Sequence, residues 1–117
     1  MATDIQTPVD LSPKEARPGE ESIDRAWTYY AQGKYAEAEA EFRSAAVQDD
    51  RLIDAHYGLA ISARSQGKTE EAVGALRKAQ QIVEDETIEI NPNRRTILRQ
   101  LIAAQLSILL ASKPPEA

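Results

Sequence analysis

The chain has 117 residues, 42% of them hydrophobic, and this length allows one compact domain with a modest core but not a second domain. With 19 acidic and 14 basic side chains its net charge is -5, which disfavours nucleic acid and anionic membranes as partners because both attract basic faces. Cysteine is absent and His56 is the only histidine, so disulfides, thiolate nucleophiles and multi-histidine metal sites are excluded.

Residues 1–19 are predicted to form a flexible tail. The segment contains Pro8, Pro13 and Pro18 with scattered charge and few large apolar residues, so burial cannot offset the entropy of ordering it. It shows no apolar run typical of a targeting segment, and a cytoplasmic location is therefore expected. Its alternative role is that of a docking peptide for another protein.

Residues 20–86 repeat themselves with a period of 34 residues. At this offset the chain aligns like with like: Gln32-Gly33-Lys34 with Gln66-Gly67-Lys68, Glu37-Ala38 with Glu71-Ala72, Ala26 with Ala60, Ala45 with Ala79, and Phe42 with Leu76. A fixed period of 34 with small residues at constant positions is typical of helix-turn-helix repeats. Two consecutive repeats are therefore predicted, at about 19–52 and 53–86.

Each repeat is predicted to consist of two helices joined at a glycine. Gly33 and Gly67 are placed where the first helices end, since glycine adopts the left-handed conformation that closes a helix without a Cβ penalty. The second helices are expected to begin near Tyr35 and Thr69. Small side chains are expected where paired helices approach closely, at Ala26, Ala38, Ala45, Ala60, Ala72 and Ala79.

The pattern resembles the tetratricopeptide repeat family. When Gly33 and Gly67 are set at the family's turn glycine, the six alanines occupy its small-residue positions, and Tyr29, Phe42 and Leu59 match its aromatic and leucine positions. The resemblance implies an all-α fold of two tetratricopeptide-like repeats plus a C-terminal capping helix, arranged as a short right-handed α-solenoid. The chain departs from the family by lacking its usual proline after each second helix and by a histidine early in the second repeat.

Residues 87–117 are predicted to be a linker and a C-terminal capping helix. Asn91 is a suitable cap and Pro92 a suitable first residue, so the helix is expected over about 93–112. The second helix of repeat two is predicted to extend about two turns beyond Ile82, with a loop as the alternative. The last helix is too short and too polar to span a membrane. Its apolar side chains nevertheless cover a wider arc than the single stripe with which a surface helix packs on a core. It is therefore expected to be covered on more than one side.

The resemblance also implies that the first helices of the repeats line a concave surface. The positions that face it in the family fall here on Ile23, Trp27, Tyr30, Tyr57, Ile61 and Arg64, with Glu20, Ala31, Asp54 and Ser65 beside them. Independently, the helical spacing places the first three on one stripe and the next three on another. These six residues are expected to bind a partner. The alternative is that the last helix lies across them and buries them as core.

Catalysis is not expected from this sequence. His56 with Asp54 or Ser62 does not assemble a nucleophile, a base and an oxyanion donor. The acidic run around Glu84 lacks the ligand spacing of a calcium loop, and neither a metal nor another cofactor is expected.

The predicted function is that of a non-catalytic protein-protein interaction module, a bacterial-style adaptor or scaffold. Its partner would be a peptide or helical segment of another protein, bound in an apolar concave groove. The alternative is a self-assembling structural protein that forms a homodimer, with Leu106 and Leu110 of the last helix at the interface. Neither nucleic acid nor a membrane is an expected partner.

Overall fold

The computed structural model describes residues 17–112, and within this range the chain forms five α-helices and no strand. The helices are α1 (Glu20–Ala31), α2 (Tyr35–Gln48), α3 (Ile53–Ser65), α4 (Thr69–Glu84) and α5 (Pro92–Ser112). They pack in chain order as a short α-solenoid, α1 with α2, α3 with α4, and α5 against α4. The predicted all-helical repeat architecture is confirmed, whereas most of the predicted flexible tail lies outside the described residues.

The two turns inside the repeats have the same geometry, and glycine makes it possible. Gly33 and Gly67 have φ angles of 77° and 78°, in the left-handed region. In the second turn, Gly67 N donates to Arg64 O and Lys68 N to Ala63 O, both at 2.9 Å. The first turn repeats this pattern. The second helices begin at the predicted residues because the turns close there.

The core consists of two clusters stacked along the solenoid. The first joins α1 and α2 around the fully buried Phe42, and the second joins α3, α4 and α5 around Leu76. The six alanines expected at close approaches are all buried. Gly58 of α3 adds a contact that the repeat pattern did not predict, because a Cβ placed there would lie 2.1 Å from Phe42 Cε1. The ring of Phe42 therefore packs directly against the backbone of the next repeat.

The connection between α4 and α5 is a loop, so the predicted extension of the second helix is wrong and the alternative is right. The helix ends at Glu84 because the Asp85 carboxylate accepts hydrogen bonds from the Thr87 amide at 2.9 Å and the Thr87 hydroxyl at 2.6 Å. Arg95 of α5 then donates to the Ile88 carbonyl at 2.6 Å. These side-chain bonds compete with the helical backbone pattern and stop it.

The start of α5 agrees with its predicted cap. Asn91 Oδ1 accepts hydrogen bonds from the Asn93 amide at 2.9 Å and the Arg94 amide at 3.2 Å, and Pro92 is the first helical residue. The helix buries four side chains in the second core cluster: Leu98, Ile102, Leu106 and Leu109. Among the described residues, no helix is long and apolar enough to cross a bilayer.

Candidate functional site

Trp27 on α1 is anchored to the core at one edge and open to solvent elsewhere. Its ring meets that of the fully buried Phe42 edge to face, with 4.8 Å between the ring centroids, and that of Tyr30 at 5.6 Å. The side chain is nevertheless 37% exposed. Trp27 therefore presents apolar surface in a position that the core fixes.

Tyr30 connects α1 to the two helices that follow it. Its ring centroid lies 5.0 Å from that of Tyr35 in α2, and its hydroxyl lies 3.1 Å from Ser65 Oγ in α3. These contacts hold the Tyr30 ring beside Trp27. The two side chains form a preorganised aromatic patch that reaches from the first repeat to the second.

The predicted binding residues of α3 lie beside α5. Tyr57 is half-buried, and burial raises the pKa of its hydroxyl, a shift that Gln105 and Arg64 only partly oppose. Arg64 Nη1 donates a hydrogen bond to Gln105 Oε1. Ile61 lies on α3, one helical turn after Tyr57 and before Arg64, and remains partly exposed. Tyr57, Ile61 and Arg64 thus form a partly covered stripe on the second repeat, and α5 holds its polar end, Arg64, through Gln105.

Ile23 differs from the other predicted binding residues because it belongs to the core. It packs in the first cluster, and its side chain is almost completely buried. Its edge reaches only the bottom of a cleft between the N-terminal ends of α1 and α3. Ile23 therefore supports the site from below, and the prediction that it binds a partner is corrected, because only 9% of the residue is exposed.

That cleft has a volume of about 640 Å³ and combines an apolar floor with a charged rim. The floor consists of Ile23, Leu52, Ile53, Ile88 and Ile90, and the rim of Arg17, Glu20, Asp24, Asp49, Arg51, Asp54, Glu89 and Arg94. Asp54 is paired with Arg94, at 2.5 Å between Oδ1 and Nη2. The cleft was not predicted, because it exists only where the loop before α5 turns back toward α3.

The last helix does not cover the aromatic patch of the first repeat. α5 packs on α4 and reaches α3 through the Arg94–Asp54 and Arg64–Gln105 pairs, while Trp27 stays exposed. The alternative in which α5 buries the whole stripe as core is therefore wrong for Trp27. That alternative is right only for Tyr57, which α5 partly covers.

The two leucines predicted at an oligomer interface face different environments. Leu106 is 5% exposed and packs in the second core cluster of its own chain, whereas Leu110 is 44% exposed. Leu106 is thus unavailable to a second protomer, which corrects its predicted role. The exposed large apolar residues of α5 are instead Ile97, Leu101, Ile108 and Leu110.

His56 is buried, and its ring nitrogen is used in a contact with the backbone. Its Nε2 lies 2.9 Å from the Asp50 carbonyl oxygen and 3.5 Å from Asp50 Oδ1, and Asp50 also pairs with Lys78 at 3.0 Å. Ser62, considered above as its partner, has a buried Oγ that makes no hydrogen bond within the described residues. In the part of the chain that is described, no three His, Asp or Glu side chains are grouped to hold a metal ion.

Comparison with known proteins gives a match at the level of the repeat. Residues 22–44 and 53–78 each match the family model described as tetratricopeptide repeat. The matched stretches begin in α1 and at α3, so they coincide with the two helix pairs. Searches of curated proteins and of solved structures gave no match to this chain.

Proposed function

Because the chain belongs to the tetratricopeptide repeat family, whose repeats generally mediate protein-protein interaction, we propose that it is a non-catalytic adaptor or scaffold. It binds a peptide or helical segment of another protein on the concave side of α1 and α3. Trp27, Tyr30, Tyr57, Ile61 and Arg64 form the contact surface, and Ile23 lies beneath it. We call this surface the groove.

The observation that carries this proposal is the exposed Trp27 on a buried base. Its open third corresponds to roughly 90 Å², so covering it would contribute about 2 kcal/mol at about 25 cal/mol per Å². The patch is already ordered by Phe42, Tyr30 and Ser65, so little entropy is lost at this point on binding. Trp27 has the properties of an interface anchor.

Charge favours a ligand that is apolar along its length and basic at one end. On the rim of the cleft Arg17 is paired with Glu20 and Arg94 with Asp54, and the other charged residues there are three acids, Asp24, Asp49 and Glu89, and one base, Arg51. The whole chain carries five more acidic than basic side chains, which steers cationic segments toward it.

The test is capture of partners from the source cell with wild type, Trp27→Ala and Val47→Ala. Val47 is 83% exposed on α2, so its substitution is a matched control for loss of surface apolar area. We expect Trp27→Ala alone to lose the partner. Since Trp27 is the only tryptophan, its fluorescence should also shift to shorter wavelength when the identified segment is added. A Trp27→Ala protein that melts at lower temperature but keeps every interaction would contradict the proposal.

A second candidate function, self-association, is supported by the exposed apolar residues of α5. A soluble domain seldom leaves several large apolar side chains exposed on one helix without a partner for them.

A further inference from the structure

Five exposed residues of α5 lie on one face, at alternating spacings of four and three residues: Ile97, Leu101, Ala104, Ile108 and Ala111. This is the spacing with which two helices pair side by side. At 3.6 residues per turn, the face is rotated roughly 135° from the centre of the face that α5 buries in its own chain. We call these five residues the seam.

The large residues of the seam are open to solvent. Ile97, Leu101 and Ile108 are 56%, 42% and 48% exposed. Leu110, although also exposed, lies on another side of the helix, roughly 140° from the seam. The seam is therefore a continuous apolar strip about four turns long and not a scatter of single residues.

The seam presents no charge to a partner. α5 contains no acidic residue, and its three arginines are engaged within the chain. Arg94 pairs with Asp54 at 2.5 Å, Arg99 pairs with Glu84 at 2.8 Å, and Arg95 donates to backbone carbonyls of the loop before α5. A neutral strip complements another neutral strip, whereas a charged partner helix would find nothing here to pair with.

We propose that the seam binds the seam of a second copy of this chain, in an antiparallel α5–α5 pair. The pair deepens the self-association candidate and uses none of the groove residues, because α5 holds Arg64 of the groove through Gln105, which lies outside the seam. The same surface is used by both copies, so the contact closes on a twofold axis.

The register follows from side-chain size. With the seams antiparallel, Leu101 of each copy lies against the small Ala104 of the other, and Ile97 of each lies against Ile108 of the other. A parallel pair would bring the positive N-terminal ends of both helix dipoles together. The antiparallel pair places each of these ends near the partner's C-terminus, where the helix dipole is negative. Four turns bury less than the roughly 1,600 Å² of a standard interface, so the dimer should dissociate on dilution.

The first test is sedimentation equilibrium from micromolar to near-millimolar concentration. Wild type should rise with concentration from the 12.9 kDa of one chain toward twice that mass. Leu101→Glu and Ile108→Glu should each weaken dimerisation at least about tenfold, because they bury an unpaired charge in the pair. Leu110→Glu and Val47→Glu should dimerise like wild type, since both residues are exposed but lie outside the seam.

The second test uses the absence of cysteine in the chain. In the antiparallel pair, residue 97 of one copy and residue 97 of the other are separated by roughly 16 Å along the helix axis, which is too far for a disulfide. Ile97→Cys and Ile108→Cys should therefore cross-link when mixed under oxidising conditions and remain uncross-linked when alone. All cysteine and glutamate variants are checked for wild-type helicity.

Three results would overturn the proposal. They are a wild type that stays monomeric throughout, a dimer that survives Leu101→Glu and Ile108→Glu, and disulfides formed by Ile97→Cys alone. A monomeric wild type that still loses its partner through Trp27→Ala would reject the seam pair and retain the adaptor function, so the two failures are distinguishable.

Discussion

At the scale of single residues, Gly58 determines how closely the two repeats approach. It is buried in the middle of α3, and the Phe42 ring of the preceding repeat occupies the space where a side chain would begin. The usual destabilising effect of glycine in a helix is accepted here because any Cβ would push the repeats apart.

We expect Gly58→Ala to lower the free energy of unfolding by about 3 kcal/mol, because the added methyl overlaps Phe42. Gly74→Ala is the matched control, since Gly74 also lies within a helix but a Cβ there meets nothing within 4 Å. That substitution should raise stability by about 0.5–1 kcal/mol. Urea unfolding of both variants measures the difference, and a Gly58→Ala protein as stable as wild type would show that the packing is loose.

At the scale of elements, Glu39 ties α2 to the turn between α3 and α4. Its buried carboxylate accepts hydrogen bonds from Gln66 Nε2 at 2.6 Å, Lys68 Nζ at 3.0 Å and Arg43 Nη2 at 2.7 Å. Gln66 and Lys68 flank the turn glycine, so this part of the repeated Gln-Gly-Lys pattern has a structural purpose. In the second repeat, Gln66 and Lys68 of this pattern bind Glu39 and so connect the second repeat to the first.

The pH dependence of stability should report this contact. Burial alone would raise the pKa of Glu39, but the hydrogen bonds from Lys68, Gln66 and Arg43 outweigh it and lower the pKa below its usual range. A lowered pKa in the folded state means that the stabilisation is complete above the unfolded pKa of about 4.3 and is lost as the pH falls through the folded value.

We therefore expect Glu39→Gln to cost about 1–3 kcal/mol at neutral pH and to converge on wild type as the pH falls below the lowered pKa of Glu39. Glu37→Gln, an exposed acid of the same helix, is the control and should change stability little. Urea unfolding at several pH values measures both. A Glu39→Gln deficit that is equally large in acid would mean that side-chain shape, and not charge, causes the loss.

Element boundaries were predictable where backbone conformation alone decides them. Gly33 and Gly67 mark the turns because their left-handed φ angles are cheap only for glycine, and Asn91 marks the start of α5 because its side chain caps free amides. The end of α4 was not predictable from helical periodicity. Asp85 and Thr87 stop the helix through their own hydrogen bonds, which the spacing of apolar residues does not reveal.

The candidate site was predictable only in part, for a similar reason. The repeat phase placed Trp27 and Tyr30 on an open face, where the structure also has them. The sequence did not show which face of α5 turns toward the core, since a helix that is apolar on nearly every side has no preferred inward face. Leu106 and Ile108 are equivalent in the sequence pattern, and only the packing on α4 turns the first inward and leaves the second exposed.

At the scale of the whole molecule, we expect α5 to complete a solenoid that two repeats alone would not stabilise. A helix pair buries only part of its apolar surface, and at least three stacked units are normally needed for a stable array. α5 packs on α4 as a third unit would, and its buried side chains belong to the same core cluster as Leu76, Ile82 and Val83. The cooperative unit should therefore include α5.

A chain that ends at Asn93 is expected to unfold or aggregate. It would lose the burial of Leu98, Ile102, Leu106 and Leu109, each contributing roughly 1.5–3 kcal/mol, which together equal the roughly 5–15 kcal/mol net stability of a whole domain. Leu106→Glu in the full chain should have a similar effect, while Leu110→Glu on the exposed side of the same helix should fold normally. Circular dichroism during thermal melting separates these cases. If the shortened chain remains soluble and melts cooperatively, the two repeats form a complete core and α5 serves binding rather than stability.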